Sequence, residues 1–190
     1  GQVHPKADIH HRNIKPGDQV IVSGEVATHG IAIMSVRKGL EFETTILSDT
    51  VNLNHTVKRL LDQFGTDIKF LRDPTRGGVA SVLNEVAELT GLGFELDQKK
   101  IPIDEQVDGA CEMLGLDPLY VANEGLFIAV VNPEAAPALL AALREDANGK
   151  NAAIIGEVCA DHPGKVLMKS RIGGRRVVNY LTGEQLPRIC

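Results

Sequence analysis

Ile68-Lys69-Phe70-Leu71 reads as a short strand, and it runs straight into Arg72-Asp73-Pro74-Thr75-Arg76-Gly77-Gly78 before a helical pattern takes over at Val79. The apolar period changes across a turn marked by Pro and Gly, so this segment commits the chain to a fold containing both sheet and helix. The helix runs from Val79 to Leu89 with Val82, Val86 and Leu89 inward, and Gly91 closes it.

Around this segment the other elements are short. Lys15-Pro16-Gly17-Asp18 is a turn feeding the strand Gln19-Val20-Ile21-Val22-Ser23, and further strands fall at 93–96, 126–131, 152–158, 166–169 and 176–181. Helical patterns cover 31–38, stopped by Gly39, and 53–64, with Val57, Leu60, Leu61 and Phe64 on one face and Gly65 as its cap. Two more cover 105–114 and 133–143. Strands and helices mix without strict β-α alternation, which predicts an α+β domain in which a mixed β-sheet is covered by helices. Residues 15–181 form that domain. The chain opens Gly1-Gln2-Val3-His4-Pro5 without methionine, which reads as a fragment, and 182–190 read as a mobile tail.

The chain's 190 residues are 43% hydrophobic and 24% charged, enough for one substantial core. A formal net charge of -5 without a Lys or Arg block lacks the electrostatic footprint of a nucleic-acid binder. No apolar run approaches the roughly 20 residues of a membrane span, and the given amino end does not read as the apolar core of a signal peptide. Three cysteines without a C-x-x-C pair argue against a disulfide framework or zinc site and fit a reducing cytoplasm. Cys111 and Cys159 read as buried small hydrophobes.

The third cysteine ends the chain, in Leu186-Pro187-Arg188-Ile189-Cys190. A terminal thiol can travel, and an exposed one is avoided unless its reactivity is used. The neighbouring carboxylate opposes thiolate formation, and Arg188 could offset it. A functional thiol ranks ahead of an accidental ending.

Three internal segments could carry chemistry. The turn from Arg72 to Gly78 opens a helix whose unpaired amides, with Gly77 and Gly78 allowing close approach, suit a phosphate; the plainer reading has Asp73 or Thr75 capping the helix and Arg72 and Arg76 in solvent. Ala122-Asn123-Glu124-Gly125 precedes an apolar strand, and a shielded Glu124 could be a general base, although as residues alone the tetrapeptide reads as a turn in which Gly125 supplies positive φ. In Gly24-Glu25-Val26-Ala27-Thr28-His29-Gly30, His29 could titrate near neutrality, yet a lone loop histidine is more often a surface residue. The histidines form no metal-ligand spacing, so no metal is assigned to protein ligands.

Together, Gly17 to Gly24, Arg72 to Val79, Leu116-Asp117-Pro118-Leu119-Tyr120-Val121-Ala122-Asn123-Glu124-Gly125 and the ending Pro187-Arg188-Ile189-Cys190 resemble the hydrogenase maturation HypE family, specifically its C-terminal half. The Arg-Gly turn alone is similar to the wider superfamily of aminoimidazole-ribonucleotide synthetase, selenophosphate synthetase and thiamine-monophosphate kinase. The resemblance covers nearly the whole chain.

It implies an ATP-dependent dehydratase. The terminal Cys190 receives a carbamoyl group from HypF, ATP drives dehydration of the S-carboxamide to an S-cyanide, and the cyanide passes to iron held by HypC and HypD. Glu124 is then the base, Asn123 its orienting neighbour, and Arg72, Asp73, Thr75, Arg76, Gly77 and Gly78 the phosphate-holding turn. Pro187, Arg188 and Ile189 position the tail. Most ATP and Mg2+ ligands, and the usual homodimer interface, belong to the family's N-terminal half, of which residues 1–14 resemble the linker or last strand, so the resemblance implies that this chain alone is inactive. Two departures stand out: Thr28 replaces a common acid, and Leu126 a common lysine. The competing readings are another synthetase or kinase of the superfamily with an incidental Cys190, or a module whose tail only docks a partner.

Overall fold

The computed structural model describes residues 2–38 and 46–180. Seven strands form one sheet: β1 (Gln19–Val22), β2 (Ile68–Arg72), β3 (Gly93–Asp97), β4 (Ile128–Val131), β5 (Ala153–Cys159), β6 (Val166–Lys169) and β7 (Arg175–Val178). The helices are α1 (Thr28–Lys38), α2 (Asn54–Phe64), α3 (Gly78–Thr90), α4 (Glu105–Leu114) and α5 (Ala136–Arg144). The spatial order is β2-β4-β1-β5-β3-β6-β7. Every pairing is antiparallel except β3 with β6. The mixed α+β sheet expected from the sequence is present.

The centre of the sheet explains its apolar strands. β1 and β4 pair with Val20 opposite Val130 and Ile21 opposite Ala129. Because side chains alternate across a pleat, Val20, Val22, Ile128 and Val130 join Val79, Leu83 and Val86 of α3 on one face. Ile21, Ala129 and Val131 join Leu60, Leu61, Leu139 and Leu143 of α2 and α5 on the other. Covered on both faces, these strands have no polar side to show. A smaller cluster packs α1 on α4 through Ala27, Ile31, Val107, Ala110, Cys111 and Val121.

Several expectations shift. Leu89, read as inward, is 62% exposed; the buried stripe of α3 runs Val79, Ala80, Val82, Leu83, Val86, Ala87 and has rotated past position 89. Cys111 is buried as expected, and burial, aided by Asp108 and Asp117, pushes its thiol to about 12. Cys159 is only half-buried and donates to the Asp161 carbonyl at 3.2 Å. Residues 2–14 carry a 3-10 turn at His11–Asn13 and dock on the domain, His10 N–H donating to the Lys69 carbonyl at 2.9 Å and Lys6 to the Asp62 carbonyl at 2.6 Å. Gly39 and the tail, with Pro187, Arg188, Ile189 and Cys190, lie outside the described residues. Among the described residues, no helix is long and apolar enough to cross a membrane.

Candidate active site

Asn123 is fully buried, and its amide is saturated. Oδ1 accepts from the Ala27 N–H at 2.7 Å, while Nδ2 donates to the carbonyls of Pro74 at 2.9 Å and Val121 at 3.0 Å. Its own N–H also donates to Pro74 at 3.2 Å. One side chain thus joins three of the segments singled out in the sequence: Gly24 to Gly30, Arg72 to Gly78 and Ala122 to Gly125. Ala27 sits at φ 75°, a left-handed conformation that costs a non-glycine residue energy. The bond from Asn123 helps hold it there.

His29 is not in a loop: α1 begins at Thr28, and the ring lies in the first turn, 8% exposed. Its Nδ1 is 2.9 Å from Ser48 Oγ and 3.9 Å from the Asp49 carboxylate. Asp49 in turn accepts from the Glu124 N–H at 3.2 and 3.4 Å, and the Gly125 amide also bonds it. Burial raises the Asp49 carboxyl above its ordinary value, while these amides and His29 pull the other way. Gly125 does not supply positive φ as the turn reading expected. It is needed for close approach, since a Cβ there would stand 1.7 Å from the Asp49 carbonyl oxygen.

Beside Gly125 opens a cleft of about 350 Å³ walled by Gly24, Glu25, Thr28, Asp49, Leu126 and Lys150. Burial, then the nearby Asp104 carboxylate, raises Glu25, and a hydrogen bond with Asn151 opposes the rise. The Thr28 hydroxyl is buried without a hydrogen-bond partner among the described residues. The apolar Leu126, where a lysine was noted as common, is buried against the main core. Among the described residues no group of three or more His, Cys, Asp or Glu could hold a metal ion.

The turn from Arg72 to Gly78 is built around its glycines. Gly77 caps α3 in the left-handed conformation, and neither Asp73 nor Thr75 contributes a side-chain cap. A Cβ on Gly78 would come within 2.5 Å of the Leu119 carbonyl and 2.6 Å of that of Val121. The start of α3 is thereby pressed onto the strip leading to Asn123. Arg72 is half-exposed and pairs with Glu85 at 3.5 Å; Arg76 is exposed.

Pro74, Asn123, Glu124 and Gly125 are brought together with Ala27 and His29, whereas the Arg72 and Arg76 side chains stand at the surface. Sequence reading missed Ser48 and Asp49, which lie in Leu47-Ser48-Asp49-Thr50, a mainly polar stretch ahead of α2. Nothing in their spacing marks them. Glu25 stands out in the sequence only as part of its loop, and the Asp104 carboxylate that raises it is brought near as the cap of α4.

Residues 15–169 match the family described as AIR synthase related protein, C-terminal domain. The chain is 50% identical over 190 residues to carbamoyl dehydratase HypE of Bradyrhizobium diazoefficiens, covering 100% of this chain and 55% of that protein. A crystal structure of the hydrogenase maturation protein HypE in complex with ATP superposes with a TM-score of 0.90 at 41% identity, over 96% of this chain and 55% of the other. A HypE–HypF complex gives 0.89 at 40% identity, over 94% and 58%. The chain spans about half the length of the relatives it matches.

Proposed function

The chain belongs to the AIR synthase related protein family by its C-terminal domain, and on that premise we propose that it is the C-terminal half of an ATP-dependent HypE-type carbamoyl dehydratase serving hydrogenase maturation. The match to a carbamoyl dehydratase along the entire chain is the observation that supports this reading. Cys190 is carrier and substrate together. HypF, seen in complex with a structural relative, supplies the carbamoyl group, and a HypC–HypD complex accepts the cyanide.

The chemistry sets the demands. The oxygen of a cysteine S-carboxamide is a poor leaving group, so ATP transfers its terminal phosphoryl group to it while one nitrogen proton is released to solvent, giving ADP and an S-bound phosphorylated imidate. Removing the remaining nitrogen proton then lets the C–O bond break, so that phosphate leaves and the thiocyanate C≡N forms. Glu124 takes that proton, and a base for such a step must be fixed within hydrogen-bond reach of the nitrogen. Asn123 supports that role by locking the preceding peptide between Ala27 and Pro74. Arg72 and Arg76 contribute positive charge and Gly77 an amide at the start of α3 to the departing phosphate, while Asp73, Thr75 and Gly78 shape the turn that receives it.

Nucleotide and Mg2+ are held mostly by residues outside this chain, including those of the N-terminal half through which the protein dimerises. Pro187, Arg188 and Ile189 guide the thiol. The test uses the full-length protein with HypF, ATP and carbamoyl phosphate, following the terminal peptide by mass spectrometry. A carbamoyl adduct that converts to cyanide and disappears in Cys190→Ala is expected. No adduct, or one that survives that substitution, removes the reading.

A further inference from the structure

To take a proton from the adduct on Cys190, Glu124 has to hold one direction, yet the residue sits in a loop between a 3-10 turn at Pro118–Tyr120 and β4. Asn123 secures one side of it. The other side is secured from a different loop. The Asp49 carboxylate receives the Glu124 N–H at 3.2 Å and 3.4 Å, and the next amide, of Gly125, converges on the same group. Gly125 is pressed so closely on the Asp49 backbone that no side chain fits between them.

Asp49 is itself braced. Ser48 Oγ lies 2.9 Å from His29 Nδ1 and 2.7 Å from Thr50 Oγ1, and the His29 ring reaches toward the Asp49 carboxylate at 3.9 Å. Both His29 and Asp49 are largely sheltered, with side chains 10% and 15% exposed. A bare cap on a loop does not need a buried ring behind it. Two converging amides on one carboxylate fix the backbone torsions of Glu124, and with them the direction of its Cα–Cβ bond.

We propose that Asp49, braced by Ser48 and His29, is the positioning residue for Glu124, holding the peptide that carries the base rather than touching the reacting group. This rests on the reading of Glu124 as the base. Two steps separate the roles: carbamoylation of Cys190 by HypF, in which Glu124 takes no part, and dehydration, in which it does.

In full-length protein, Asp49→Ala is expected to slow conversion of the carbamoyl adduct to cyanide about 10- to 100-fold, the scale at which small misplacements of reacting groups act. Carbamoylation rate and the apparent KM for ATP stay at wild-type values. Asp49→Asn, whose Oδ1 still accepts from the Glu124 amide, recovers part of the loss. Equal slowing of carbamoylation and conversion, or wild-type conversion by Asp49→Ala beside an inactive Glu124→Gln, overturns the proposal alone. Wild-type conversion by Glu124→Gln removes the base assignment and this proposal with it. Should Asp49→Ala fail to fold, Ser48→Ala removes the brace alone: a smaller, conversion-only drop supports the proposal, and no drop overturns it.

Discussion

Asn123 places a whole carboxamide in a fully buried position, and each of its side-chain bonds goes to a backbone group. Truncation to Ala would leave the Ala27 N–H buried and unpaired while Ala27 still holds positive φ. An unsatisfied buried group costs about 1–3 kcal/mol, and the vacated space adds to that. Asn123→Ala should therefore lower stability by about 3 kcal/mol in urea titration; a loss under about 1 kcal/mol would mean the loop re-pairs elsewhere. Glu25 gives a pH signature instead. Its carboxyl is raised above 4.5 by burial and by Asp104, so the folded state binds its proton more tightly than the unfolded one. The stability this contributes is present below the ordinary value and is lost as pH rises through the raised one. Relative to wild type, Glu25→Gln should thus gain stability between pH 4 and pH 7, measured as urea midpoints at both. An unchanged difference would place the group in water.

At the scale of elements, α3 shows two glycines doing different jobs. Gly91 ends the helix in the left-handed conformation with open space around its Cα. Replacing it by Ala strains only the backbone and should cost about 1 kcal/mol. Gly78 has positive φ as well, but a side chain there would strike two carbonyl oxygens of the 119–121 strip. Gly78→Ala should cost about 2–4 kcal/mol, since overpacking adds to the torsional strain. Equal losses in denaturant titrations of the two variants would show that the strip yields. The middle of α3 is tied to the far edge of the sheet by Asn84, whose Nδ2 donates to the Ala80 carbonyl and, at 3.0 Å, to the Val178 carbonyl of β7. α3 therefore links the edge strand to the Pro74 turn.

At the scale of the molecule, the described residues form one sheet covered on both faces at the β2-β4-β1 end, with the cleft and the Asn123 junction beside α1. The chain covers 55% of the length of its Bradyrhizobium diazoefficiens relative. The purified chain is expected to release no phosphate from ATP above the blank in a colorimetric assay, and robust turnover would overturn the assignment of nucleotide binding to the other half. Apolar runs and amphipathic stripes at 19–22, 54–64 and 128–131 made the elements legible, because burial in a sheet or on a helix face leaves a period in the residues themselves. The Gly77-Gly78 turn was legible from its Pro and Gly punctuation, whereas Asn123 and Glu124 read as an ordinary turn on their residues alone and were singled out by the family resemblance. Asp49, Ser48 and the helical place of His29 were not legible. A polar residue in a loop reads the same whether it faces solvent or another loop 75 positions away. The sequence by itself therefore determined the α+β sheet, its apolar centre and the family motifs, all of which depend on local pattern. Only the tertiary structure decided that Asn123 joins three segments and that Asp49 holds the Glu124 peptide, because hydrogen bonds between distant loops follow from how the sheet brings their ends together.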